Sequence, residues 1–218
     1  QVQKPDFFTM ASELADSKVV RHFAAIAKEL KVVLPISFFE KKNQAHYNSV
    51  AVIDADGSIL GVYRKTHIPN GPGYQEKYYF NPGDTLFTVW QTRYVKIGIG
   101  ICWDQWFPET ARCLALQGAE ILFYPTAIGS EPINPANDTR DHWRTCMQGH
   151  AGANMVPVVA SNRTGVETID DSSITFYGSS FITDNKGALI QQMDRTTEGV
   201  ICADFDLESR CYMMSKWG

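Results

Sequence analysis

Val95-Lys96-Ile97-Gly98-Ile99-Gly100-Ile101-Cys102-Trp103-Asp104-Gln105-Trp106-Phe107-Pro108-Glu109 passes from strand-forming residues directly into a helix start. A residue at such a strand-to-helix turn is held out of the sheet, with free backbone N–H groups around it that can bind an anion. A thiol there is expected to ionise more easily, because the positive helix end and a nearby Lys favour thiolate over thiol. Cys102 is therefore a candidate nucleophile. The alternative is one more buried apolar Cys, the usual fate of that residue type.

Outward from this turn, residues 108–117 read as a helix with Pro108 in its first turn and Gly118 past its end. Residues 121–124 read as a short buried strand, 138–154 as a helix and 156–160 as another apolar strand. Before the turn, residues 16–30 carry an apolar stripe at Val19, Val20, Phe23, Ile26, Ala27 and Leu30, with Asp16 or Ser17 as cap. Residues 31–39 read as a buried strand. Residues 48–53 and 59–64 read as a hairpin around Asp54-Ala55-Asp56-Gly57. Residues 87–90 and 95–101 are strands joined by Gln91-Thr92-Arg93. Three short strands are expected at 179–183, 188–192 and 199–205, then a final segment from Leu207. Strands alternating with helices, flanked by hairpins, define one layered α/β domain over 1–218.

The chain has 218 residues, 44% hydrophobic and 20% charged, enough for one well-buried core. A net charge of -4 offers no broad basic surface, so no nucleic-acid partner is expected. No apolar run reaches bilayer length, and nothing at the start resembles a signal peptide, so no membrane partner is expected. The five Cys are odd in number and lack metal-binding spacing, which predicts no metal site, no cofactor and a reducing, cytoplasmic location.

Three pieces read together carry chemistry. Lys65 follows the strand ending in Tyr63-Arg64, Cys102 follows another strand, and Glu76 lies in the Tyr-rich loop between them. A Cys that attacks a carbonyl needs donors for the oxyanion, and the Lys65 ammonium with the Trp103 N–H supplies them. Glu76 would hold the Lys in place. Lys65 could equally be a solvated charge, and Glu76–Lys77 an ordinary exposed pair. A thiol-protease arrangement, with His67 as base and Asp104 orienting it, is a further option.

Arg64-Lys65-Thr66-His67-Ile68-Pro69 followed by the block from Gly100 to Glu109 resembles the nitrilase superfamily of carbon–nitrogen hydrolases. Gly71-Pro72-Gly73-Tyr74-Gln75-Glu76-Lys77, Asn81-Pro82-Gly83-Asp84-Thr85, the run 123–132, Asp141-His142-Trp143, the run 147–154 and Ile174-Thr175-Phe176-Tyr177-Gly178 are similar to its N-carbamoylputrescine amidohydrolase branch. The resemblance implies a four-layer αββα sandwich that pairs into an αββα–αββα assembly, hence a homo-oligomer. It also implies a Glu–Lys–Cys triad, with Cys102 as nucleophile, Lys65 as the family Lys and Glu76 as the second glutamate supporting it. The family's general-base Glu has no match here. It belongs to a Leu-Gln-Glu-Leu-like motif expected upstream of Gln1, so an N-terminal strand–helix–strand unit and a C-terminal tail are expected beyond this chain. Glu40, ending Ile36-Ser37-Phe38-Phe39, is the nearby carboxylate to weigh as a substitute.

The reaction so implied is hydrolysis of a linear ureido group on a small cationic substrate, through a Cys102 thioester. Its distal ammonium needs a carboxylate or aromatic face. Glu131, on the loop after strand 121–124, is the candidate anchor, with Tyr74, Trp103, Trp106 and Phe107 as walls. Rival readings are a β-ureidopropionase or aliphatic amidase of the same superfamily, and a non-catalytic binding or assembly subunit.

Overall fold

The computed structural model describes residues 2–131, 134 and 136–217, the side chain of Trp217 excepted. Helix α1 (Lys18–Leu30) begins where Ser17 accepts a hydrogen bond from the Val20 N–H at 3.3 Å, and it ends at Lys31 in the left-handed conformation. That cap moves the first strand later than the sequence suggests: β1 is Leu34–Lys42. It pairs antiparallel with β2 (Ala45–Ile53), which pairs with β3 (Ile59–Arg64) into a three-stranded sheet.

The second sheet contains β4 (Val89–Gln91), β5 (Lys96–Ile99), β6 (Ile121–Thr126), β7 (Val158–Asn162), β10 (Phe181–Thr183) and β11 (Leu189–Gln192) in the order β11-β10-β7-β6-β5-β4. β5, β6 and β7 are parallel, and the strands at either side run against them. Helices α2 (Pro108–Leu116) and α3 (Arg140–Asn154) make the crossovers. A separate hairpin, β8 (Thr164–Ile169) with β9 (Ser172–Tyr177), has no counterpart among the sequence-based expectations. The expected strand at 199–205 is a correction. Those residues make no ladder, and the segment leads into helix α4 (Leu207–Trp217).

The layering follows from β2, which is buried on both faces. Val50 and Val52 join a core with Ile97, Ile99 and Leu122 of the second sheet, which also takes in Leu114 of α2 and Trp143 and Met147 of α3. Ala51 and Ile53, alternating with them, pack with Val20 and Ala27 of α1. Helix, sheet, sheet, helix is thus the order of layers, the αββα sandwich expected. Among the described residues no helix is long and apolar enough to cross a membrane.

Candidate active site

Cys102 opens a short 3-10 helix, Cys102–Trp106, directly after β5, with φ 43°. A non-glycine residue there is strained and persists only where its surroundings over-determine it. Gly100 allows the close packing beneath: a Cβ would come within 2.6 Å of Tyr124 Cε1. The Sγ is buried, and the Ala127 backbone just past β6 favours its ionised form.

Lys65 follows β3 and is 1% exposed. Its Nζ lies 2.8 Å from Glu76 Oε1 and 2.7 Å from Oε2. Glu76 also accepts a bond from Asn48 Nδ2 at 3.3 Å. Gly83 passes so close to the end of β3 that a Cβ would overlap the Arg64 carbonyl oxygen, and its N–H donates to the Lys65 carbonyl at 2.8 Å. The loop carrying Lys65 is thereby fixed from below.

Lys65, Glu76 and Cys102 interact electrostatically. Burial is the largest influence on the thiol and raises its pKa; Lys65 opposes the rise and Glu76 adds to it. The expectation that helix end and Lys make the free thiol easier to ionise is therefore corrected. Desolvation outweighs the Lys65 contribution, since a thiolate in a dry site loses its hydration. A proton acceptor is needed when the sulfur attacks.

Cys102 and Glu76 line a cavity of about 380 Å³, shared with Tyr74, Trp103, Trp106 and Glu131. Every substrate-contact candidate in this group faces the same space. Tyr74 accepts a bond from the Gly129 N–H at 3.0 Å, and burial pushes its phenol up to about 12. Phe107 is a different matter: it stacks on His67, centroids 3.6 Å apart and planes at 5°, and does not line the cavity. His67 Nδ1 pairs with Asp104 Oδ1 at 2.8 Å, as the thiol-protease option supposes, yet His67 is not in the cavity wall either. Glu40 is buried and engaged by Arg64 Nε (2.8 Å), Arg64 Nη2 (2.6 Å) and Ser49 Oγ (2.7 Å), so both its oxygens are already bonded.

Asn48, Ala127, Thr139 and His142 also belong to the site and carried no individual sequence signal. Each gains its role only from where the fold places it. His142 lies in the Asp-His-Trp block, the nearest thing to a pointer. Among the described residues no group of three His, Cys, Asp or Glu side chains is gathered closely enough to hold a metal ion.

A strained Cys on a strand-to-helix turn, beside a buried Lys paired with a half-buried Glu in an αββα sandwich, coincides with a match of residues 2–210 to the carbon–nitrogen hydrolase family model. The chain belongs to the carbon–nitrogen hydrolases, and is an enzyme of that class. It is 58% identical over 222 residues to an N-carbamoylputrescine amidase of Arabidopsis thaliana, spanning 100% of this chain and 74% of that protein. A citrullinase of Francisella tularensis is 55% identical over 216 residues, covering 99% of this chain and 76% of its own length. The crystal structure of a carbon–nitrogen hydrolase from Helicobacter pylori G27 superposes with a TM-score of 0.92 at 41% identity, over 100% of this chain and 76% of that one.

Proposed function

We propose that this chain hydrolyses N-carbamoylputrescine to putrescine, carbon dioxide and ammonia, a step of polyamine biosynthesis, through a thioester on Cys102. The observation that carries the reading is the single cavity shared by Cys102, the Lys65-bound Glu76 and Glu131. Identity near 58% to amidases of that name supports the substrate.

Cys102 Sγ attacks the ureido carbon and its proton passes to a base. The developing oxyanion is met by the Trp103 N–H and the Lys65 ammonium. Glu76 holds Lys65 by both oxygens, so the ammonium has little freedom left to lose. The base returns that proton to the amino group, which departs as ammonia and leaves an N-alkyl thiocarbamate on sulfur. Water then cleaves the carbon–sulfur bond, the thiol regains its proton, and the released carbamic acid splits into amine and carbon dioxide. The base in this reading is the first glutamate of the family's Glu–Lys–Cys triad. Glu131, which lines the same cavity, takes the distal ammonium, with Tyr74 and Trp106 beside the methylene chain. Assembly into homo-oligomers and a cytoplasmic location complete the reading; five unpaired thiols suit a reducing compartment.

The test is a series of ureido substrates with positive, neutral and negative tails, citrulline included. N-Carbamoylputrescine should give the highest kcat/KM. Preference for citrulline or for an anionic tail would overturn the assignment of substrate while leaving the hydrolase class intact.

A further inference from the structure

Asp104 is 0% exposed, has no Lys or Arg partner among the described residues, and accepts four bonds. Its Oδ2 takes the Ile101 N–H at 2.8 Å and the Tyr63 hydroxyl at 2.7 Å. Its Oδ1 takes the His67 N–H at 2.9 Å and faces His67 Nδ1 at 2.8 Å. These donors fall on two separate pieces of chain. Ile101 immediately precedes the strained Cys102, while Tyr63 and His67 stand two residues before and two after Lys65. The His67 ring, stacked on Phe107, grips the far end of the same short helix. A buried carboxylate is costly unless its oxygens are satisfied, and these are satisfied by groups that no local structure would otherwise bring together.

We infer that Asp104 is a positioning residue for the hydrolase: one carboxylate fixes the Cys102 turn and the Lys65 loop against each other, setting the nucleophile and its oxyanion cation in register. It touches neither substrate nor reacting atoms. The inference rests on the Cys102–Lys65 reading of the site and extends it to the part that holds the two together.

The test uses Asp104→Asn, which keeps the shape and removes the charge and at least one acceptor. With N-carbamoylputrescine, kcat should fall on the order of 100-fold, the loss that a misplacement of about 1 Å can cause, with KM little changed. Alkylation of Cys102 by iodoacetamide is read in parallel. The ionisable groups acting on the thiol are Lys65, Glu76, Asp104 and the hydroxyls of Tyr74 and Tyr177, and Asp104 is among those that raise its pKa. Its removal should therefore shift the alkylation profile to lower pH. A sulfur that ionises more easily yet turns over more slowly is the signature of lost alignment, which mere destabilisation would not produce. A folded Asp104→Asn enzyme with kcat near wild type, or one whose loss lies in KM, overturns the inference. If that variant does not fold, Tyr63→Phe decides: it deletes one donor and should lower kcat several-fold at constant KM, and an unchanged kcat counts against the inference. Failure of the wild type to act on N-carbamoylputrescine strikes at the substrate instead, and the alkylation comparison still reads Asp104.

Discussion

Lys65 Nζ sits within 2.8 Å of both carboxylate oxygens of Glu76, and the lysine side chain has no contact with solvent. Removing one partner of a buried pair leaves the other charge stranded, which costs about 3–5 kcal/mol. Glu76→Ala should therefore lower the stability measured by urea denaturation by an amount of that order. Lys65→Met should cut kcat by at least about 100-fold, as loss of an oxyanion donor does. Near-normal turnover in Lys65→Met would remove Lys65 from the mechanism.

Cys102 should alkylate slowly at neutral pH in the free enzyme, its profile lying above the ordinary thiol range because burial raises it. Lys65→Met should push the profile further up and Glu76→Gln should bring it down, since the cation favours thiolate and the carboxylate opposes it. Shifts of the opposite sign would mean that these charges do not face the sulfur.

Glu131→Gln should raise KM for N-carbamoylputrescine about tenfold, the value of one charge-assisted hydrogen bond, and leave a neutral ureido analogue almost untouched. Initial rates over a range of concentrations for both compounds decide it. Equal loss on the two would take Glu131 out of the binding role.

Glu40→Gln should weaken the fold and spare the chemistry. Glu40 joins β1 to Arg64 at the end of β3, and Arg64 also reaches Asp84 at 2.7 Å. Loss of the charge should cost about 2–3 kcal/mol in denaturation, less than for a pair with a single partner. Turnover by the folded fraction should stay within a few-fold of wild type; a collapse of kcat would revive Glu40 as the base.

Alkaline pH should destabilise the protein progressively from about pH 8.5 upward. Burial raises the pKa of Cys102, Tyr63, Tyr124 and Tyr177, and that of Tyr74 to about 12. These groups stay protonated in the fold while the unfolded chain releases protons near its ordinary Cys and Tyr values, so stability falls as pH rises. For Tyr74 the loss continues to about pH 12. Thermal midpoints across pH 7–11 measure it, and a flat profile would contradict the burial of these groups.

Much of this architecture was legible along the chain, because strand and helix periods report local burial and the Ile97-to-Pro108 stretch changes period at Cys102. The β8–β9 hairpin is hard to read along the chain because Thr164-Gly165-Val166-Glu167-Thr168-Ile169 is short, nowhere fully buried and interrupted by Gly165 at positive φ. Residues 199–205 misled in the opposite way. Their apolar run Val200-Ile201-Cys202-Ala203 suits a strand, but among the described residues no strand pairs with them.

The order of residues by itself determined which groups are chemically able to act: a Cys at a strand-to-helix turn, a Lys at a strand end, a Glu in the loop between. Only the tertiary structure decided how their charges balance. Sequence proximity to a helix start argues for an easily ionised thiol, whereas burial of Cys102 in the fold makes desolvation the largest influence on it. In the same way Asp104 and His67 are neighbours of the site in sequence, and only the folded chain shows that they brace it from outside the cavity. Dielectric environment and side-chain direction arise from contacts between distant segments, and local sequence does not encode them.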